Sequence, residues 1–161
     1  MALIIEAPNE VYSLKNKNNI KIFLAGGITN CRDWQSELIE KLKDIRGITL
    51  YNPRRKDFPM NDPKAAEEQI TWEYEKLKEA RIIVFWFSKG SLNPIVLYEL
   101  GMWGNSKPTT TVIGSDPEYE RRQDVMIQTQ LAKPGSAHYD SLDEVANAVK
   151  GFLPSWLTKS E

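Results

Sequence analysis

The chain has little with which to do metal or thiol chemistry: one cysteine, Cys31, and one histidine, His138. A lone cysteine forms no intramolecular disulfide and brings no cluster of ligand partners. A single histidine argues against both a structural zinc site and a Ser-His-Asp triad spread along the chain. Neither a metal nor a cofactor is expected, so chemistry should fall to carboxylates. Also lacking is an apolar run near the roughly 18 residues that a membrane helix needs. The opening Met-Ala-Leu-Ile-Ile-Glu-Ala-Pro has no basic lead and too short an apolar stretch for a signal peptide. The expected location is cytoplasmic, with no membrane partner. Charge of one sign is missing too: 21 basic and 22 acidic side chains give a formal net charge of −1. That argues against a nucleic-acid polymer as partner and favours a small molecule. Repeats and low-complexity tracts are absent. The 161 residues are read as one domain, with 1–19 as an N-terminal extension.

What is there is an alternation of strand-like and helix-like segments. Leu3–Ala7 is a short β-prone run, and Ser13–Asn19 is a polar link. Ile20–Ala25 reads as a strand ending at Gly26-Gly27. Trp34, Leu38, Leu42 and Ile45 share a helical period that Gly47 stops. Ile48–Tyr51 is a strand, and Arg54–Pro63 a long polar loop. Ala65–Ala80 is a helix with Ile70, Tyr74 and Leu77 on one face. Ile82–Phe87 is a continuous apolar strand of the kind buried on both faces of a parallel sheet. Asn93-Pro94 opens a further helix as N-cap and first helical residue, running to about Asn105. A strand at Thr109–Ile113, a helix over Pro117–Leu131, a short strand near Ala137–Tyr139 and a helix over Ser141–Leu153 complete the chain. This pattern predicts an α/β three-layer sandwich with a parallel, roughly five-stranded sheet, flavodoxin-like or Rossmann-like. Ligands of such sheets bind beyond the carboxyl ends of the strands.

One side chain stands apart. Between Gly90 and Ser106 the only charged residue is Glu99, set among Ile95, Val96, Leu97, Tyr98, Leu100, Met102 and Trp103. A helix apolar all round should be mostly buried. A buried carboxylate costs several kcal/mol unless it is paired or hydrogen-bonded, and no opposite charge lies at i±3 or i±4. Two readings stand: Glu99 pairs with a distant cation, or it lines a cleft as a catalytic acid. Glu73 is a second acid, two turns before the central strand, although Glu67, Glu68, Glu75 and Glu79 share its helix. The Asn52–Asp57 loop holds Arg54, Arg55 and Asp57 at a strand's carboxyl end. Its cations suit a phosphate, and a solvated surface loop is the alternative. Tyr51, Trp72, Trp86 and Phe87 are candidate flat walls for a base, against a plain core role.

Three pieces resemble the nucleoside 2-deoxyribosyltransferase-like family, related to the deoxynucleoside monophosphate N-glycosidases. They are Ile22-Phe23-Leu24-Ala25-Gly26-Gly27-Ile28, then Trp72-Glu73 with Ala80–Trp86, then Asn93 through Tyr98-Glu99-Leu100-Gly101. The likeness runs from about Ile20 to Gly101, and more weakly through Tyr119–Val125. It implies Glu99 as nucleophile, Glu73 as the acid managing the base's proton, Asn93 as a holder of sugar or phosphate, and Gly26 and Gly27 as the turn under the ligand. Glu73 stands where Asp is usual, and Asn93 where Asp or Ser is. The resemblance also implies a nucleoside or nucleotide substrate and a homo-oligomer whose subunits complete each other's pockets. The function it points to is 2-deoxyribosyl transfer between bases through a glycosyl-Glu99 intermediate. Rival readings are an N-glycosidase that uses water, a nucleotide-binding sensor without turnover, and a simple flavodoxin-like binding protein.

Overall fold

The computed structural model describes residues 1–11, 16–106 and 108–158, apart from the side chains of Trp156 and Thr158. Ser13–Lys15 of the expected N-terminal link, and the Trp156 side chain of the apolar tail, lie outside the described residues.

Strands β1 (Leu3–Glu6), β2 (Ile20–Gly26), β3 (Ile48–Asn52), β4 (Ile82–Phe87), β5 (Thr110–Ser115) and β6 (His138–Tyr139) form one parallel sheet in the order β1-β3-β2-β4-β5-β6. Helices α1 (Trp34–Leu42) and α5 (Leu142–Phe152) cover one face. Helices α2 (Pro63–Glu79), α3 (Pro94–Trp103) and α4 (Arg122–Ala132) cover the other, and α6 (Ser155–Thr158) ends the described chain. The protein is an α/β three-layer sandwich of the flavodoxin-like or Rossmann-like kind. The sheet has six strands rather than roughly five. The additional one is Leu3–Glu6, placed in an N-terminal extension on sequence, which pairs along β3 from Leu3↔Thr49 to Glu6↔Asn52. Four residues carry no period strong enough to assign such an edge strand; its pairing partner does that.

The central strands alternate between two dry cores. Ile22, Leu24, Leu50, Val84 and Trp86 point toward α1 and α5. Phe23, Ala25, Tyr51, Ile83, Phe85 and Phe87 point toward α2, α3 and α4. All six residues of β4 are buried, as its unbroken apolar run requires.

Three helix expectations are corrected. On α2 the buried stripe is Ala65, Gln69, Trp72, Lys76 and Leu77, while Ile70 and Tyr74 are exposed. The polar Gln69 and Lys76 are admitted because each has polar partners: Gln69 donates to the Pro53 carbonyl at 2.8 Å, and Lys76 sits between Glu10 at 2.7 Å and Glu79 at 3.0 Å. On α3, apolar all round, only Val96 is fully buried. Ile95, Tyr98 and Met102 are 64, 66 and 44 % exposed. The sheet offers this helix one side, and no described element covers the other. The Pro117–Leu131 segment begins as turns, with helix only from Arg122. Of the apolar tail, Leu153 is buried in the α1/α5 core and Leu157 packs against it, whereas Phe152 is exposed.

Candidate active site

The chain runs from β2 outward to β3 along one sheet face, then returns over the other to β4. The neighbours β2 and β4 therefore form the sheet's topological switch point, where the loops beyond them part and leave a crevice. A cavity of about 330 Å³ lies there, lined by Phe23, Ala25, Gly26, Gly27, Ile28, Thr29, Pro53, Glu73, Ser91, Asn93, Pro94, Ile95, Val96 and Glu99. Five of the sequence-predicted residues meet in it: Gly26, Gly27, Glu73, Asn93 and Glu99.

The floor is shaped by close approach. A Cβ on Gly26 would overlap the Trp34 ring and the Trp86 carbonyl; one on Gly27 would overlap Asn93 Oδ1. A larger residue at Gly27 would displace Asn93 from the cavity wall, and one at Gly26 would push on the α1/α5 core behind the floor. The Gly27 carbonyl is held by Trp34 Nε1 at 3.1 Å, Gln35 Nε2 at 3.4 Å and Arg54 Nη2 at 3.4 Å. Arg54 also donates to Gln35 Oε1 at 2.9 Å and to the carbonyls of Arg32 and Cys31, and it pairs with Asp33 at 3.3 Å. Its guanidinium thus fastens the β2–α1 loop.

Asn93 precedes α3 as expected but does not cap it with its side chain. Its backbone is left-handed at φ 51°, a region asparagine tolerates well. Its amide donates to the carbonyls of Ser88 at 3.1 Å and Ser91 at 2.8 Å, and its Oδ1 accepts from Cys31 Sγ at 3.5 Å. The β4–α3 loop is therefore closed on itself, with Asn93 over Gly27.

Glu99, one and a half turns into α3, is half-buried against Phe23, Ala25 and Val96. Among the described residues no cation and no hydrogen-bond donor reaches it. The distant-cation reading of this acid is therefore not what the fold builds. Burial, and then repulsion from Glu73, push its carboxyl up to about 8. Glu73 reaches the cavity from α2. Burial raises its carboxyl too, opposed by a hydrogen bond from Gln69 Nε2 at 2.6 Å. The site thus has two carboxyl groups in electrostatic contact and no positive charge in the lining, a setting in which both do not ionise together at neutral pH.

The other sequence-predicted residues lie elsewhere. Arg55 donates to Glu68 at 3.3 Å and stacks over the Phe58 ring, and Asp57 is exposed on the β3–α2 loop. Trp86 is wholly buried on the α1/α5 side of the sheet, opposite the cavity. Trp72 is core on the cavity's side of the sheet, edge-on to Tyr51, with Nε1 donating to the Asn9 carbonyl at 2.9 Å. Phe87 stacks on Tyr119 beneath α3. The walls are instead Phe23, Ile28, Pro53, Pro94, Ile95 and Val96. Strand alternation would have marked Phe23 and Ala25 as facing one side with Phe85, but nothing in the sequence says which side carries the crevice. Gln69 was missed as well; its place four residues before Glu73, on the same helix face, was the available signal.

No curated protein sequence matches the chain. A family model for nucleoside 2-deoxyribosyltransferase-like proteins matches residues 19–119, from the first residue before β2 to the loop after β5. That span holds every residue of the cavity lining and more than half of the sequence, and the chain belongs to the nucleoside 2-deoxyribosyltransferase-like family.

Proposed function

We propose that the protein moves a 2-deoxyribosyl group from one base to another through a glycosyl ester on Glu99. The observation that carries this reading is a carboxyl group with no structural partner among the described residues, half-buried in a cavity beside a second acid. Attack by a Glu99 oxygen on the anomeric carbon forms the ester as the bond to the base breaks. The departing base nitrogen takes a proton from Glu73. A second base then attacks the same carbon, frees the Glu99 carboxylate and returns a proton to Glu73. Lacking a 2-hydroxyl, the sugar reaches its oxocarbenium-like transition state more readily, and the carboxylate stabilises that charge. Water in place of the second base gives hydrolysis from the same intermediate.

The lining favours a neutral nucleoside over a monophosphate: it holds two acids and no lysine or arginine, and Arg54 and Arg55 are engaged elsewhere. A homo-oligomer is supported by the uncovered apolar side chains Ile95, Tyr98 and Met102 on α3 with Ile70 and Tyr74 on α2, flanking the cavity. Light scattering reads this directly: a multimer that Tyr98→Glu converts to monomer is the expected result.

The test of the reaction is intact-mass spectrometry after mixing with a panel of 2′-deoxynucleosides and their monophosphates, beside an assay for exchange into a free second base. A deoxyribosyl adduct mapped to Glu99, with exchanged nucleoside in solution, is expected. Free sugar alone marks a hydrolase. An absence of both adduct and base release across the panel rejects the proposal.

A further inference from the structure

The two acids of the cavity are not held alike. Gln69 is buried on the same face of α2 as Glu73, one turn earlier. Its Nε2 donates twice, to the Pro53 carbonyl at 2.8 Å and to Glu73 Oε1 at 2.6 Å. Its Oε1 is buried without a partner. An amide that gives both protons and leaves its oxygen unsatisfied is committed to its acceptors. Turning it over to accept a proton from Glu73 would set its oxygen against the Pro53 carbonyl, losing that hydrogen bond. Pro53 is at the end of β3, and both Pro53 and Glu73 line the cavity. Glu99 has no donor of this kind among the described residues. Among the described residues no other titratable group faces either acid in the lining: β2 and its turn contribute Phe23, Ala25, Gly26, Gly27, Ile28 and Thr29, and the β4–α3 side contributes Ser91, Asn93, Pro94, Ile95 and Val96.

We infer that Gln69 is a positioning residue that fixes Glu73 as the ionised member of the pair, so that the single proton of the resting site sits on Glu99. The asymmetry follows from hydrogen bonding: a donor that cannot reverse favours the charged form of its acceptor, and the carboxyl without a donor keeps the proton. Burial of Glu99 and the repulsion that Glu73 exerts on it act in the same sense, whereas burial of Glu73 works against the ionised form that the Gln69 hydrogen bond favours. The inference rests on the proposed roles of these two acids and deepens them. When a nucleoside fills the cavity, the proton leaves Glu99, passes to Glu73 and ends on the departing base nitrogen, and Glu99 becomes the attacking carboxylate. Because Gln69 stabilises its carboxylate, Glu73 gives up that proton readily. One proton serves both acids before it leaves on the departing base, and the proton that the second base gives to Glu73 replaces it.

The test reads the substrate-free protein. Carbon-13 NMR titration of the glutamate side-chain carboxyls resolves the two sites. In the wild type, Glu73 should be ionised at a pH where Glu99 is still protonated. Gln69→Met keeps the shape and removes the donor; it should move the Glu73 midpoint up by about one pH unit and the Glu99 midpoint down. The reverse order in the wild type overturns the inference, and that measurement needs no variant. Unchanged midpoints in Gln69→Met also overturn it. Since no substrate is present, these results stand apart from the transfer assay: exchange with the wrong titration order leaves the reaction and removes the role of Gln69, and the right order without exchange does the opposite.

Discussion

Two helices of similar length, α3 and α5, are built to opposite plans. Helix α5 has its stop and start signals in place: Ser141 Oγ accepts from the Glu144 amide at 3.2 Å, Asp143 and Glu144 sit in the first turn, and Lys150 is in the last. That arrangement caps the free amides and opposes the helix dipole. Its apolar residues Leu142, Val145, Ala146 and Val149 form one stripe, all buried. Helix α3 has no side-chain cap, no acid in its first turn, no base in its last and one fully buried residue. Its only charge, Glu99, faces the cavity without a partner among the described residues. What α5 invests in stability, α3 gives up, and the place where it does so is the cleft at the β2–β4 switch point. Departures from local rules that cluster around one cavity mark a working site better than any single unusual residue does.

The comparison can be broken in several ways. The largest effect should come from Glu99→Gln, which keeps shape and removes the nucleophile. Base exchange should fall by about a thousandfold or more with the far-ultraviolet spectrum unchanged. Activity within tenfold of wild type would make α3 an ordinary, poorly covered helix. Next is Leu142→Ala on α5. Deleting a wholly buried side chain should lower the unfolding free energy by about 2–4 kcal/mol in urea, whereas Ile95→Ala on the open side of α3 should cost under about 0.5 kcal/mol in the monomer.

Third is the pH dependence of stability. The folded protein keeps the Glu99 proton up to about pH 8, while the unfolded chain releases it near 4.5. Between those values the unfolded state binds fewer protons, so rising pH favours unfolding through this window. Glu99→Gln removes the share of this dependence that Glu99 carries. At pH 9 it should be more stable than wild type by about 1–3 kcal/mol, allowing for the partial exposure of the group, and nearly equal at pH 5. Urea midpoints at the two pH values check the sign. Smallest is Ser141→Ala, which should cost about 1 kcal/mol by removing the α5 cap. Asn93→Ala, whose side chain caps no helix, should instead loosen the β4–α3 loop and weaken substrate binding, read as a raised KM.

Much of the fold was legible because period and punctuation carry it. The unbroken run Ile82–Phe87 could only be a central strand, and Asn93-Pro94 marked a helix start to the residue. The edge strand at Leu3–Glu6 was not legible as part of the sheet, since four residues become a strand only when β3 offers its hydrogen bonds. On α2, Ile70 and Tyr74 looked like core by hydrophobicity, and Gln69 and Lys76 took that place with acceptors from Pro53, Glu10 and Glu79 for their N–H groups. For the site, Glu99 stood out as one charge in an apolar helix. Trp72, Trp86 and Phe87 resembled ligand walls only as flat side chains in the right strands and helices; packing placed all three in the cores.

The sequence by itself determined the parallel α/β sheet, the helix that carries Glu99 and the lack of any local partner for that acid. These follow from hydrophobic period and charge spacing, which act over a few residues. Only the tertiary structure decided that Glu73 comes to the same cavity, that Gln69 holds it there, and that Arg54 is spent on the carbonyls of the β2–α1 loop. The Gln69–Glu73 contact itself is local to one face of α2, but the Pro53 carbonyl that fixes the Gln69 amide, the Glu99 carboxyl that Glu73 meets and the carbonyls that Arg54 holds come from other elements, and they are within reach only where the chain's return over the sheet brings them together.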